Sequence, residues 1–462
     1  MLSKNRKKWF AIMAVIFAML LAACSGGSNG SENNQSQPAP STETPSQQQP
    51  AEQPQEPQEQ DEPAELFVYS NSGDSLESWN ERFGDALKEA FPHYTITYLP
   101  KEKDRGLNEL LLSGQRIDIY WDSIAGFINT LKSNQLEFDM TDLIAKHNID
   151  LTSMEPTIVE AINRLSDGGY YGVPVFNNTL VMYYNKDLFD KFGVDYPWDG
   201  MTWKEASDLG RQLTRTEDGV MYAGLSTSET HMLQMNQLSI PYVDEETFMP
   251  TIGTDPRWIE WMNEVFVEPA NAPGYKEYMI EHNNKLPYRL EFLEAQDLAM
   301  FGWLASIIFV FPEEFGNLNW DMVAMPTMES RPGIGPQAYP TYFGITSIAE
   351  NKDAAAKVIK YLTSKEMQTH LSRIGLMPAM NDEEVIKQYG EGSVFKGKNF
   401  GAAFYNEFAP IPFKSEFDSS LTVPYAKTIP RVILEGDYNT IFRQTQEERE
   451  QSIQAALKER GN

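Results

Sequence analysis

Cysteine occurs once in 462 residues, at Cys24, so no intrachain disulfide framework is available. Histidine occurs five times (His93, His147, His231, His282, His370), with no His-Glu-x-x-His or other close ligand pair. Zinc and non-haem iron centres therefore have no support in the sequence, and no metal or other cofactor is expected. A Gly-x-Ser-x-Gly elbow, a phosphate loop and a catalytic cysteine are also missing. Basic residues are few against acidic ones, 38 to 66, for a net charge of −28. A field of that sign repels phosphate backbones and anionic lipid, which argues against nucleic-acid binding and direct membrane adhesion. Beyond residue 24 no apolar run approaches the ~20 residues that a bilayer span takes. Carboxylates are plentiful, which leaves a glycosidase pair open, although neighbours such as Glu313 and Glu314 usually mean solvated surface.

What is present begins with a basic start (Lys4, Arg6, Lys7, Lys8), an apolar segment over residues 9–21, and Leu21-Ala22-Ala23-Cys24. Residues 1–23 read as a secretory signal, too short and wrongly flanked to be a membrane span. Residues 24–64 then read as a disordered tether. From residue 25 they carry seven acids, no Lys or Arg, and little but Gly, Ser, Asn, Pro and Gln otherwise, which cannot bury enough surface to offset chain entropy. Such a composition biases the chain towards extended structure, with a reach of up to ~3 Å per residue.

The remainder is long for one hydrophobic core and natural for two. It opens on a β-α-β unit: a strand at residues 66–70, helical spacing of Leu76, Trp79, Phe83 and Leu87, and a strand alternating Tyr94, Ile96 and Tyr98. Ligands in open α/β sheets bind beyond the carboxyl ends of strands, which makes Asn71, Ser72 and Asp74 candidates. Asp74 or Ser75 reads equally well as a helix N-cap. Trp258, Trp261 and Phe266 recur at roughly helical spacing and read as core. Gly333-Ile-Gly335-Pro-Gln-Ala338 fits a dinucleotide fingerprint only formally, since prolines surround it and no helix follows. Near the end, Thr445 and Glu448 read as a capping box that opens a last helix.

The chain is organised around residues 170–205. The run over residues 173–184 is apolar or aromatic except for Asn177 and Asn178, as expected of extended backbone crossing a buried hinge with two amides at its middle. Asn185 to Phe192 turns helical, Gly193 closes that turn, and Thr202 with Glu205 forms a capping box. The order Gly172-Val173-Pro174, then Tyr184-Asn-Lys-Asp-Leu-Phe189, Gly193-Val194, Pro197 and Thr202-Trp-Lys-Glu205 resembles the extracellular solute-binding proteins of bacterial ABC importers, the carbohydrate type that includes maltose-binding proteins. Residues 297–311, 319–327 and 350–378 resemble later phrases of the same family, and Leu-Ala-Ala-Cys resembles a bacterial lipobox, in which Cys24 is lipidated.

The resemblance implies a periplasmic-binding-protein-like (type II) α/β fold, two lobes joined by a multi-crossing hinge with the ligand cleft between them. Lobe 1 is expected over residues 65–175 plus 326–375 and lobe 2 over 176–325 plus 376–462, with crossings near 174–181 and 323–327. It implies a lipid-anchored, monomeric, extracellular protein without covalent chemistry. Its partners are then a small solute, most naturally a sugar or oligosaccharide, and the permease subunits of an importer, with the membrane reached through the lipid anchor alone.

In the family the strand end at Trp121 and Asp122 supplies an aromatic and polar groups to the ligand. An indole offers a flat face to a sugar ring and a carboxylate accepts two hydroxyl protons, while the alternatives are a core indole and a helix cap. Asn236 lies in the family's second-lobe cleft segment, and Asn177 and Asn178 sit at the hinge. Trp303 takes the place of a stacking tryptophan or packs in the core, and Asp353 caps a helix that ends by Gly375. Tyr339 and Tyr342 lie on a loop that reaches the cleft in relatives, or simply cover that loop. Two rival functions stay open: a secreted carbohydrate-active hydrolase, and a binder of a peptide or polyamine.

Overall fold

A computed structural model describes residues 62–103 and 105–459. The expectations for the signal, Cys24 and the tether up to residue 61 lie outside the described residues, and the tether ends earlier than residue 64, since Ala64, in the first strand, already pairs with Tyr94. Strands in chain order are β1 (Ala64–Ser70), β2 (Tyr94–Leu99), β3 (Ile119–Ser123), β4 (Val173–Asn177), β5 (Leu180–Asn185), β6 (Arg215–Glu217), β7 (Val220–Thr227), β8 (Leu298–Leu304), β9 (Trp320–Ala324), β10 (Ile334–Gln337), β11 (Thr341–Ile345), β12 (Met377–Pro378) and β13 (Glu407–Ala409). They form two mixed sheets, ordered β12-β4-β11-β3-β1-β2 and β6-β7-β8-β5-β9, and a short ribbon of β10 with β13.

The first sheet is covered on both faces. Alternation along β3 sends Ile119 and Trp121 into one core, under the helices Lys352–Leu362 and Lys365–Arg373, and Tyr120 into the other, with Phe127, Ile158 and Ile162 of the helices Phe127–Asn134 and Pro156–Leu165. One large core surrounds the second sheet and holds Trp203, Trp258, Trp261, Phe266 and Trp320. The last helices join it through Tyr425, Ile429, Ile441 and Phe442.

The central stretch folds as its local chemistry dictates. Asn185 caps Lys186–Phe192 through Asp187 N, Gly193 ends that helix at φ 65°, and Thr202 with Glu205 forms the capping box of Trp203–Leu213. β4 belongs to the first sheet and β5 to the second, so the chain crosses at Asn178 and Thr179.

The return crossing lies later than residues 323–327. Thr327 bonds Met201 and Trp203 backbone, Met325 and Met328 pack in the second core, and the chain reaches the first sheet only at Tyr339 to Thr341, after β10. Methionines on both sides of Pro326 keep the strand's extension anchored where the Leu/Met-Pro phrase alone suggested an exit. Met377 and Pro378 add β12 to the edge of the first sheet.

Two caps differ from expectation. Asn351, not Asp353, accepts from Ala354 N, and Asp353 instead pairs with Lys146 (2.6 Å). Thr445 lies inside the continuous helix Tyr438–Glu459, its hydroxyl donating to Ile441 O, because Ile441 and Phe442 already bury the earlier turns. Gly375 does stop its helix, at φ 92°, and a Cβ there would stand 2.0 Å from the Phe309 ring.

Candidate functional site

β1, β3 and β4 run parallel, with β11 antiparallel between β3 and β4, so Ser70, Ser123, Asn177 and the start of β11 share one edge of the first sheet. In the second sheet β7 and β8 are parallel and β5 is antiparallel to β8, which puts Thr227, Leu304 and Leu180 at one edge. Asn178 and Thr179 join these edges, so the carboxyl ends of parallel strands from both sheets meet at the crossings, where open α/β sheets bind ligands.

On the first edge, Asn71 Nδ2 donates to the Tyr120 hydroxyl (3.1 Å), which donates to Asp122 Oδ2 (2.8 Å). Asp122 Oδ1 accepts from Ser123 N (2.7 Å). Burial outweighs those bonds and holds the Asp122 pKa above the usual carboxylate range. Tyr339 comes close to Asp122, and its phenol is likewise raised, mainly by burial. At the hinge, Asn177 Oδ1 accepts from Asn178 N and Tyr339 N, and Asn178 Nδ2 donates to Ser306 Oγ (2.8 Å).

On the second edge, Ser228 Oγ lies 2.6 Å from His231 Nδ1 and 2.8 Å from the Tyr288 hydroxyl. Desolvation pushes the neighbouring Glu229 up to about 7 and His231 down to about 4. Trp303 is packed with Tyr288, Phe301 and Phe311, and its Nε1 has no hydrogen-bond partner among the described residues. Gly302 serves strand packing, since a Cβ there would meet Thr227 Cγ2 at 2.8 Å.

Other expected contacts go elsewhere. Trp121 is 2% exposed and stacks on Phe343 with centroids 5.4 Å apart, within a cluster of Trp79, Phe83 and Phe176. Trp121 shares its strand face with Ile119, which faces the helix-covered core, so its indole serves that core. Tyr342 is fully buried, with its hydroxyl donating to Ile158 O (2.8 Å). Asn236 spends its amide on Leu233 O, Ile240 O and Ile240 N, closing a turn. Asp74 pairs with Arg82 (3.0 Å), Ser75 caps the helix Leu76–Trp79, and Ser72 Oγ accepts from Asp74 N (3.3 Å).

Between the lobes lies a small, partly open pocket of about 40 Å³, lined by Ile124, Asn129, Tyr242, Tyr339, Lys414 and Asp418 among others. It shares Ile128, Asn129, Leu165, Lys414 and Ser415 with an open trough of about 670 Å³, whose further walls include Lys132, Arg164, Glu245 and Phe248. A third depression runs on from Asn129 and Ser133 to Asn71. Segment 411–418 bridges the halves: Arg164 donates to Ile411 O (2.5 Å) and Asn129 to Ser415 O (3.4 Å). Lys414, Asp418, Asn129 and Arg164 were not foreseen, since single charges and amides in helix or loop sequence read as solvated surface. Among the described residues no His, Cys, Asp or Glu group could hold a metal ion, and no helix is long and apolar enough to cross a membrane.

Two mixed sheets, a multiply crossed hinge and a polar trough define a two-lobed solute-binding protein of the type II periplasmic-binding-protein fold. Residues 69–369 match the bacterial extracellular solute-binding protein family, to which the chain belongs. A curated relative, the arabinooligosaccharide-binding protein of Halalkalibacterium halodurans, is 30% identical over 186 residues, and the chain spans 37% of its length as the match spans 37% of this chain. Among solved structures, a Rhizobium etli sugar transporter in an open conformation superposes with a TM-score of 0.65 at 18% identity, covering 83% of this chain and 98% of that one. An ABC substrate-binding protein from Listeria monocytogenes in complex with cycloalternan gives 0.62 at 16%, covering 85% and 99%.

Proposed function

We propose that the protein is the substrate-binding subunit of an ABC importer and takes a sugar or oligosaccharide between its lobes. The observation that carries this reading is the small pocket adjoining a large trough, walled by amides, carboxylates, ammonium groups and tyrosines contributed by both lobes. That mixture suits hydroxyl-rich, neutral rings with apolar faces. Asn71, Asp122, Asn178 and Tyr339 are the proposed contacts at the crossings. Lobe 1 holds the first sheet, including β12, and lobe 2 the second sheet, residues 326–337 and the last helices. Ligand binding shifts an open–closed equilibrium, and only the closed form docks productively on the permease.

The anchor is proposed at Cys24, with the residues from 24 to the start of β1 as the tether to an otherwise soluble, monomeric domain. A thermal-shift screen of arabino-, malto- and manno-oligosaccharides tests the binding role. The reading expects a rise in melting temperature with at least one of them and no product by chromatography. Turnover would support a hydrolase, and a shift only with peptides or polyamines would change the solute class.

A further inference from the structure

Lys414 and Asp418 reach the small pocket from a segment that no strand edge supplies. Asp418 is fixed by two bonds to one oxygen, Ser415 N (3.1 Å) and Ser415 Oγ (2.6 Å) both donating to Oδ1. Its Oδ2 accepts no hydrogen bond among the described residues. The Lys414 ammonium donates to Gln234 O (3.2 Å), which leaves two of its three protons without a described acceptor. No direct ion pair joins the two residues among those described, although each feels the other's charge. Burial lowers the lysine pKa and raises that of the aspartate. Both side chains keep some solvent exposure and line the pocket, so Asp418 Oδ2 and the remaining Lys414 protons are left to water or to a guest.

A guest that displaces water from both groups has to offer a donor and an acceptor side by side. A carboxylate guest would meet Asp418, and an ammonium guest would meet Lys414. The pocket, about 40 Å³, is far smaller than the trough it adjoins, which suits it to the edge of one ring rather than to a chain of them. The adjoining trough of about 670 Å³ has room for the remaining rings.

We propose that Lys414 and Asp418 form a diol-reading subsite in the small pocket beside the trough, where one hydroxyl of a terminal ring donates to Asp418 Oδ2 and its neighbour accepts from Lys414 Nζ. This rests on the sugar-binding reading and adds to it which end of an oligosaccharide is recognised and by what. Tyr242, Tyr339, Ile124 and Leu165 line the same pocket, so a methyl in place of the hydroxyl proton loses the bond to Asp418 and crowds these side chains.

Calorimetric titration of the full-length protein with arabinotriose, maltotriose and mannotriose tests this, alongside the same sugars O-methylated on the vicinal diol of one terminal ring or the other. The expected result is that wild type binds at least one parent sugar and rejects it when methylated at one end only. Asp418→Asn and Lys414→Gln, each near-isosteric, are expected to bind the parent about tenfold to a hundredfold more weakly and to lose the discrimination between ends. Wild-type affinity in both variants, or acceptance of methylation at both ends, overturns the subsite and leaves sugar binding intact. Failure of wild type to bind any sugar overturns both. The methylated series is read on wild type, so the outcome does not depend on either variant folding.

Discussion

Asn177 Oδ1 accepts the backbone amide of Tyr339 at 3.0 Å, tying the outgoing crossing between the sheets to the returning one. The same oxygen accepts Asn178 N (2.9 Å), and the residue is 3% exposed. Tyr339 N is shared with Asn178 O (2.9 Å), so the two crossings are joined by one backbone bond and by this side chain. Asn177→Ala leaves the part-buried Asn178 amide without its acceptor, while Tyr339 N keeps Asn178 O, and is expected to destabilise the fold by about 1–2 kcal/mol, read as a lower urea midpoint at unchanged slope.

Trp121 separates core from site. Trp121→Ala opens a cavity between Trp79, Phe83 and Phe343 and is expected to cost about 3–5 kcal/mol of stability. Trp121→Phe keeps an aromatic face against Phe343 and is expected to leave sugar affinity within about twofold of wild type by calorimetry. A selective loss of affinity in that variant, with stability retained, would return the indole to the cleft.

Glu229 and His231 give opposing pH dependences. The Glu229 pKa rises from 4.5 to about 7 on folding, so its contribution is fully present below pH 4.5 and is lost as pH climbs through about 7. That of His231 falls from 6.5 to about 4, so its contribution is present above pH 6.5 and lost as pH drops through about 4. Between these limits the two slopes largely offset each other. Glu229→Gln removes one of them: its melting temperature is expected to exceed that of wild type at pH 8 and to match it at pH 4, in scans at constant ionic strength. An equal effect at both pH values would show that the carboxylate is not desolvated.

Much of the fold is legible from local chemistry, because caps and period-2 runs act over a few residues. Asn185, Gly193 and the Thr202–Glu205 box close and open helices wherever the chain goes, and Asn177 with Asn178 interrupt an apolar run at the crossing. Trp121 and Tyr342 are less readable because both faces of the first sheet are covered, so neighbours along a strand are all apolar and alternation disappears. Asp353 and Thr445 have capping chemistry in the wrong places, and only packing by Ile441 and Phe442 or the claim of Lys146 decides against them. Lys414 and Asp418 are invisible at the level of sequence, since their role depends on segment 411–418 returning across the trough to Asn129 and Arg164.

The central claim, that a sugar draws two lobes together about the crossings, is tested most directly by a distance between them. Leu112 and Val394 are 88% and 85% exposed, one flanking the first sheet's core and the other beside Phe395 of the second. Spin labels at Leu112→Cys and Val394→Cys, with Cys24→Ser, report that separation by pulsed electron resonance. The account predicts a distribution that includes an open population without sugar and collapses onto the closed one at saturating oligosaccharide. An identical distribution with and without a sugar that calorimetry shows to be bound would contradict it.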